Sequence, residues 1–100
     1  MTLGVALERA LGEQLSDFAQ RELFARVAIE ESEWQRTPLG QTSTAGGLCL
    51  ASSSLLALGA LYLGGGNGVV PEAWVETSTR ARVRIDENTE YGYLWWLRTF

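Results

Sequence analysis

The chain has no histidine and no lysine; all eight of its basic residues are arginine. Without an imidazole, a Ser-His-Asp relay is impossible. Without a lysine amine, so are a Ser-Lys pair, a Schiff base and a Walker-type phosphate loop. The single Cys49 excludes an internal disulfide and any Cys-x-x-Cys metal site. Only carboxylates, tyrosines and Cys49 remain for acid–base work. A self-sufficient enzyme is not expected on this chemistry, and no catalytic residue, cofactor or metal site is assigned. The net charge of −4 gives no electrostatic case for nucleic acid or an anionic membrane. No basic region followed by an apolar run opens the chain, so no signal peptide is expected. One hundred residues is one small domain or one piece of a larger one.

Charge is also missing from one long stretch, between Arg36 and Glu72. Within it, Thr44 to Leu63 reads TAGGLCLASSSLLALGALYL. Two readings fit: a membrane span, or a buried loop followed by a core helix. The length suits a span. Ser52, Ser53 and Ser54, the internal glycines and the lack of a basic flank on the C-terminal side argue against one. A helix starting at the serines is simpler. Ser52 or Ser53 can cap it, and Gly64 can end it in a left-handed conformation. That leaves about a dozen helical residues, too short to cross a bilayer. The expectation is a core helix and no membrane span.

Before this stretch, Leu3, Ala6, Leu7, Ala10 and Leu11 recur at helical spacing, with Thr2 as a candidate cap and Gly12 as the stop. A second helix is expected from Leu15 or Ser16 to about Ala28, with Phe18, Ala19, Leu23 and Phe24 on its apolar side and Glu22 four residues before Arg26. Glu30, Glu31 and Glu33 lack the ordered ligands and glycine of a calcium loop, so they read as a solvated acidic loop. Gln35 to Ser43 reads as a polar loop.

Beyond it, Gly64 to Gly68 forms a turn. Pro71 fits the first position of a short helix with Trp74 as its anchor. Arg80, Arg82 and Arg84 alternate with Ala81, Val83 and Ile85, the period of a strand with a solvated arginine face. Asp86-Glu87-Asn88 makes a turn. Tyr91 to Leu97 reads as a strand buried on both faces, for which the sequence offers few sheet partners.

These pieces, in this order, resemble the middle of a serine β-lactamase-like hydrolase. That family includes class C β-lactamases, DD-peptidases, esterases and 6-aminohexanoate-dimer hydrolases. The resemblance rests on Glu22-Leu23-Phe24 leading to Ile29, then Trp34-Gln35-Arg36, then Ala45-Gly46-Gly47-Leu48. It continues through Leu55-Leu56-Ala57 to Leu61-Tyr62-Leu63, Val70-Pro71-Glu72-Ala73-Trp74-Val75, and Tyr91-Gly92-Tyr93-Leu94-Trp95-Trp96. Each piece alone is weak; order and spacing together are specific, and the Trp34 and Tyr91 pieces lean toward the esterase and amide-hydrolase branch.

The resemblance implies an α+β fold, a mostly helical fragment with one or two C-terminal strands. It implies that residues 1–100 are part of one hydrolase domain, taken from its middle. It implies acyl transfer on a small-molecule ester, amide or β-lactam in intact relatives. The family's Ser-x-x-Lys, Tyr-x-Asn and Lys/His-x-Gly motifs are all missing here, so the chain is expected to be inert alone. It also implies that the loop from Glu30 to Gly47 lines the substrate side, with Trp34, Gly46 and Gly47 as the substrate-binding positions, although loop packing accounts for Trp34 equally well.

There are departures. Where relatives carry Pro-Leu-Gly, this chain has Arg26-Val27-Ala28; where they carry a capping Thr and Asp, it has Ala51 and Ser54. Two rival readings follow: a subunit of a hydrolase completed by the missing parts on another chain, and a small non-enzymatic binding protein.

Overall fold

The computed structural model describes residues 1–100. The fold is α+β and divides into two compact units, Met1–Ala60 and Leu61–Phe100.

In the first unit, α1 (Thr2–Leu11) ends at Gly12, which takes φ +72° and donates its N–H to the Glu8 carbonyl. Glycine adopts this left-handed conformation without a Cβ penalty. Met1, not Thr2, occupies the cap position, and no side chain caps the helix. The packed side of α1 is also not the expected one. Gly4 is buried, with Val5, Glu8 and Leu11 half-buried, whereas Leu3 and Leu7 are exposed. The cause is Glu8. One of its carboxylate oxygens accepts from the Leu15 N–H (3.0 Å) and the Thr42 N–H (3.1 Å), which turns that side inward. Gly4 then lies under Thr44, and a Cβ there would run into the Thr44 side chain.

α2 (Leu15–Ala19) continues through a wide turn at Gln20–Phe24 and a tight one at Ala25–Val27. Ala28 stops it at φ +60°, and the Ile29 N–H reaches back to the Phe24 carbonyl at 2.8 Å. This is the six-to-one bond of a Schellman stop, with alanine where glycine is usual. Ala19, Phe24 and Ile29 form the core, and Leu23, Val27, Trp34, Leu50 and Leu58 pack against it. Glu22 accepts from Arg21, which also pairs with Glu13 at 2.8 Å. β1 (Ser32–Trp34) pairs antiparallel with β2 (Leu48–Leu50), in the register Glu33 to Cys49.

α3 (Ser52–Leu63), whose last residues belong to the second unit, begins at the serines, but the Ala51 carbonyl accepts its first bonds, from Ser54 and Leu55 N–H. The serines therefore lie inside the first turn. The helix ends in a second Schellman stop, with Gly65 at φ +76° and Gly66 N–H bonded to the Leu61 carbonyl. Gly65, not Gly64, takes the left-handed position. The expected core helix is half bare. Leu61 is buried and Leu58 is half-buried, while Leu55, Leu56 and Leu63 are exposed, Leu63 by 92%. A helix apolar all round needs cover all round; here one face has it. No helix is long and apolar enough to cross a membrane.

In the second unit, α4 (Glu72–Ser78) starts just after Pro71, whose carbonyl accepts from Trp74 and Val75 N–H. Val75 and Ser78 are its buried residues. Trp74 is half-exposed and stacks on Tyr93, centroids 6.1 Å apart, so it is not the anchor. β3 (Val83–Asp86), β4 (Thr89–Tyr91) and β5 (Trp96–Arg98) form an antiparallel sheet in that order. Glu87-Asn88 closes the first hairpin, with Asn88 N–H on the Asp86 carboxylate at 2.9 Å.

The run Tyr91 to Leu97 is not one doubly buried strand. It folds into a second hairpin. Gly92 N–H donates to the Trp95 carbonyl and Tyr93 N–H to the Ser78 carbonyl, while Leu94 sits at φ +65°. A Cβ at Gly92 would collide with the Ser78 carbonyl oxygen. Contact with the end of α4 thus breaks the strand, and three short C-terminal strands result.

Three non-glycine residues hold left-handed backbone: Asn67, a residue type that tolerates it, and Ala28 and Leu94, where it costs about 1–2 kcal/mol each. Ala28→Gly and Leu94→Gly should each raise unfolding free energy by about 1 kcal/mol in urea titration, after glycine's extra chain entropy is deducted. A lower midpoint for either would contradict these backbone assignments.

Candidate functional site

The segment expected to line a substrate cleft, Glu30 to Gly47, is an arm built on the β1–β2 pair. Beyond Trp34 the two sides stay linked: Gln35 N–H donates to the Gly47 carbonyl (3.0 Å) and Ser43 N–H to the Gln35 carbonyl (2.9 Å). Arg36 and Thr42 form a further antiparallel bridge. The tip is Thr37-Pro38-Leu39-Gly40, closed by Gly40 N–H on the Thr37 carbonyl at 2.8 Å. Pro38 supplies the fixed φ the turn needs, and Gly40 takes φ +81°.

Thr42 ties this arm to the helices. It is 2% exposed. Its hydroxyl oxygen accepts from Ser16 N–H and lies 3.2 Å from Gln14 Oε1 and 3.3 Å from Ser16 Oγ. The Gln14 amide donates to the Gly40 carbonyl at 2.9 Å. The Leu15 N–H bond holds the Glu8 carboxyl below the usual carboxylate range, with the Thr42 bonds adding to it. The hydrogen bond from Arg21 does the same for Glu13 and raises the Arg21 pKa.

Trp34 is half-buried against the core, its ring centroid 6.5 Å from that of Phe24. Its indole N–H donates to the Ser43 carbonyl at 2.6 Å. Gly47 stands at φ +88°, and a Cβ there would approach the Gln35 Cβ to 2.9 Å. Gly46 is exposed, and a Cβ on it would meet nothing. Trp34 and Gly47 are thus joined through Gln35, while Gly46 projects from the arm.

An open depression of about 520 Å³ lies beside the arm, lined by Gln20, Glu30, Glu31, Ser32, Glu33, Cys49, Leu50 and Ala51. Trp34, Gly46 and Gly47 are not in its lining. Its three carboxylates repel an anionic ligand. Glu33 belongs to β1 rather than to a loop, and all three glutamates are exposed. Nowhere do three His, Cys, Asp or Glu side chains converge to hold a metal ion. Ser43 is held by its backbone, and Ser52, Ser53 and Ser54 lie on the first turn of α3. With no imidazole or lysine amine in the chain, none of these serines has a histidine or lysine side chain to take its proton.

Sequence reasoning named Trp34, Gly46 and Gly47 but missed the Glu8–Thr42 connection. Only a contact between residues 34 positions apart reveals it.

No family model and no curated protein matches the sequence. Among solved structures, the chain is similar to the penicillin binding protein from Bacillus halodurans. The TM-score is 0.80 at 15% identity, over 98% of this chain and 38% of that one. The likeness shows a penicillin-binding-protein-like, β-lactamase-like fold, and these residues span 38% of the matched chain's length. Fold alone does not carry activity.

Two outcomes are expected. Gly47→Ala should destabilise the chain by about 1–3 kcal/mol, because alanine is strained at that φ and crowds Gln35; a neutral effect in denaturant titration would contradict the arm's geometry. The second concerns acid. Glu8 and Glu13 have folded pKa values below their unfolded ones, so the unfolded chain binds more protons between the two. Their stabilisation is complete above the usual value of 4.5 and is lost as pH falls through the folded values. Glu8→Gln should flatten the fall in melting temperature below that pH; an unchanged slope would contradict the linkage.

Proposed function

We propose that these residues form the middle portion of a serine β-lactamase-related hydrolase domain and are catalytically inert by themselves. The fold likeness to a penicillin binding protein over 98% of the chain carries the proposal. The ordered pieces from Leu23 to Trp96 support the hydrolase branch. Chemistry supports the inertness: acyl transfer needs an activated nucleophile, and no lysine or histidine is present to activate a serine. In such a domain the arm from Glu30 to Gly47 borders the acyl substrate, a small-molecule ester, amide or β-lactam. Gly46 and Gly47 offer it backbone without side-chain obstruction. Trp34 holds the arm to the core and, being half-buried, leaves part of its surface open to a ligand.

A second reading is a subunit of a hydrolase completed by another polypeptide. The observation that favours it is coverage: the matched penicillin binding protein has most of its chain outside the part this one covers.

Purified chain should not hydrolyse a p-nitrophenyl ester or a chromogenic cephalosporin, and a fluorophosphonate should label no serine. Turnover with labelling of Ser43, Ser52, Ser53 or Ser54 would overturn the proposal, because a nucleophile would then be working without lysine or histidine.

A further inference from the structure

The arm is held in two different ways along its length. Its inner part hangs on bonds between neutral groups. Gln35 N–H donates to the Gly47 carbonyl (3.0 Å), Ser43 N–H to the Gln35 carbonyl (2.9 Å), and the Trp34 indole to the Ser43 carbonyl (2.6 Å). Backbone amides and indoles carry no titrating proton in the ordinary pH range.

The tip, residues 36–42, is held otherwise. Thr37 N–H donates to the Gln41 carbonyl and Gly40 N–H to the Thr37 carbonyl, so the tip is one closed piece. Arg36 and Thr42 form the non-bonded pair between two ladder bonds, which turns the Thr42 N–H away from the arm. Side chains take a strand's place on that side. Glu8 Oε1 accepts the Thr42 N–H at 3.1 Å and the Leu15 N–H at 3.0 Å. The Gln14 amide donates to the Gly40 carbonyl, and Ser16 N–H to the Thr42 hydroxyl. Of these groups, Glu8 alone carries a charge.

We infer that the tip is an acid-released lid on a fixed arm: docked on the helices while Glu8 is ionised, it lets go when Glu8 takes a proton. One proton from hydronium adds to the carboxylate, and nothing else changes covalently. Bonds to an ionised acceptor are about twice as strong as bonds between neutral groups. The same oxygen serves two donors, so one proton weakens both. The bonds from Gln14 and Ser16 follow, because they end on Gly40 and Thr42, which Glu8 keeps in place. The charged groups around Glu8 are Arg9 and Glu13, which share its open depression, and Arg36 on the arm. The Leu15 bond, then the Thr42 bonds and the charge of Arg36, favour the ionised carboxyl against its desolvation. Docking is therefore complete above the usual value of 4.5 and is lost as pH falls through the lower folded value. As a control on substrate access, the lid rests on the hydrolase reading, in which the arm borders the substrate; the release itself does not.

Amide NMR of the 100-residue chain, titrated from neutral pH into acid, reads the tip without any assay of hydrolysis. The Thr42 and Leu15 N–H shifts should move together along one curve with its midpoint below 4.5. Across that curve, exchange protection at Thr42 should fall about ten-fold or more, while Gln35 N–H, Ser43 N–H and the Trp34 indole keep theirs. Glu8→Ala should remove the Thr42 protection already at neutral pH. Glu8→Gln keeps an acceptor that cannot titrate, and should abolish the acid step. The wild-type titration needs no variant. Thr42 and Leu15 shifts that titrate apart or not at all would overturn the inference. So would protection lost at one pH in tip and inner arm alike, Thr42 protection that survives in Glu8→Ala, or an acid step that persists in Glu8→Gln. A failure of this kind concerns the lid alone, whereas the hydrolase reading stands or falls on turnover and serine labelling.

Discussion

One hydrogen bond from an indole organises the better-packed half of this chain. Trp34 lies between a small core and a long arm, and its N–H reaches the Ser43 carbonyl at 2.6 Å. A buried indole without an acceptor would lose about 1–3 kcal/mol, so the partner fixes where the ring can sit. Once the ring is placed against Phe24, β1 is aligned with β2, Gln35 is aligned with Gly47, and the arm's return strand follows. Thr42 and Glu8 then attach the far end of the arm to the start of α2. The core itself is small, with Ala19, Phe24 and Ile29 at its centre. Polar connections therefore carry an unusual share of the shape.

That balance fits a chain that spans 38% of the penicillin binding protein whose fold it shares. Apolar side chains stand bare on α1, on α3 and on the sheet, at Leu3, Leu56 and Trp96 among others. Faces of this kind are expected where a fold has been described over only part of its extent, and the matched penicillin binding protein is more than twice as long as the region it shares. The arm is held together by backbone bonds, and the sequence contains no histidine and no lysine. Fold and chemistry are separate properties, and the likeness bears on the first alone.

Local signals were legible where a single residue type decides the backbone. Gly12 ends α1, Leu15 opens α2, the serines open α3, and Glu87-Asn88 turns the first C-terminal hairpin. The α+β class, implied by the resemblance to the hydrolase family, is the one observed. The signals failed where distant contacts decide. Periodicity put Leu3 and Leu7 inward, but Glu8 draws the adjoining side down through bonds to Leu15 and Thr42. Leu94 has no turn chemistry, yet the Ser78 carbonyl bends its segment and forces it to positive φ. β1 and β2 are three residues each, too short for any alternation to register. Of the candidate site, Trp34 and Gly47 were legible as residues of the arm. The depression flanked by glutamates could not be read, because Gln20 and Cys49 meet there only in three dimensions.

The most direct measurement is hydrogen exchange at the four tryptophan indoles, read by NMR in the native chain. Trp34 should exchange far more slowly than Trp74, Trp95 and Trp96, since it alone combines a core contact with a short bond to a backbone carbonyl. If Trp34 exchanges as fast as the other three, the arm is not held as described, and the account of this fold fails at its centre.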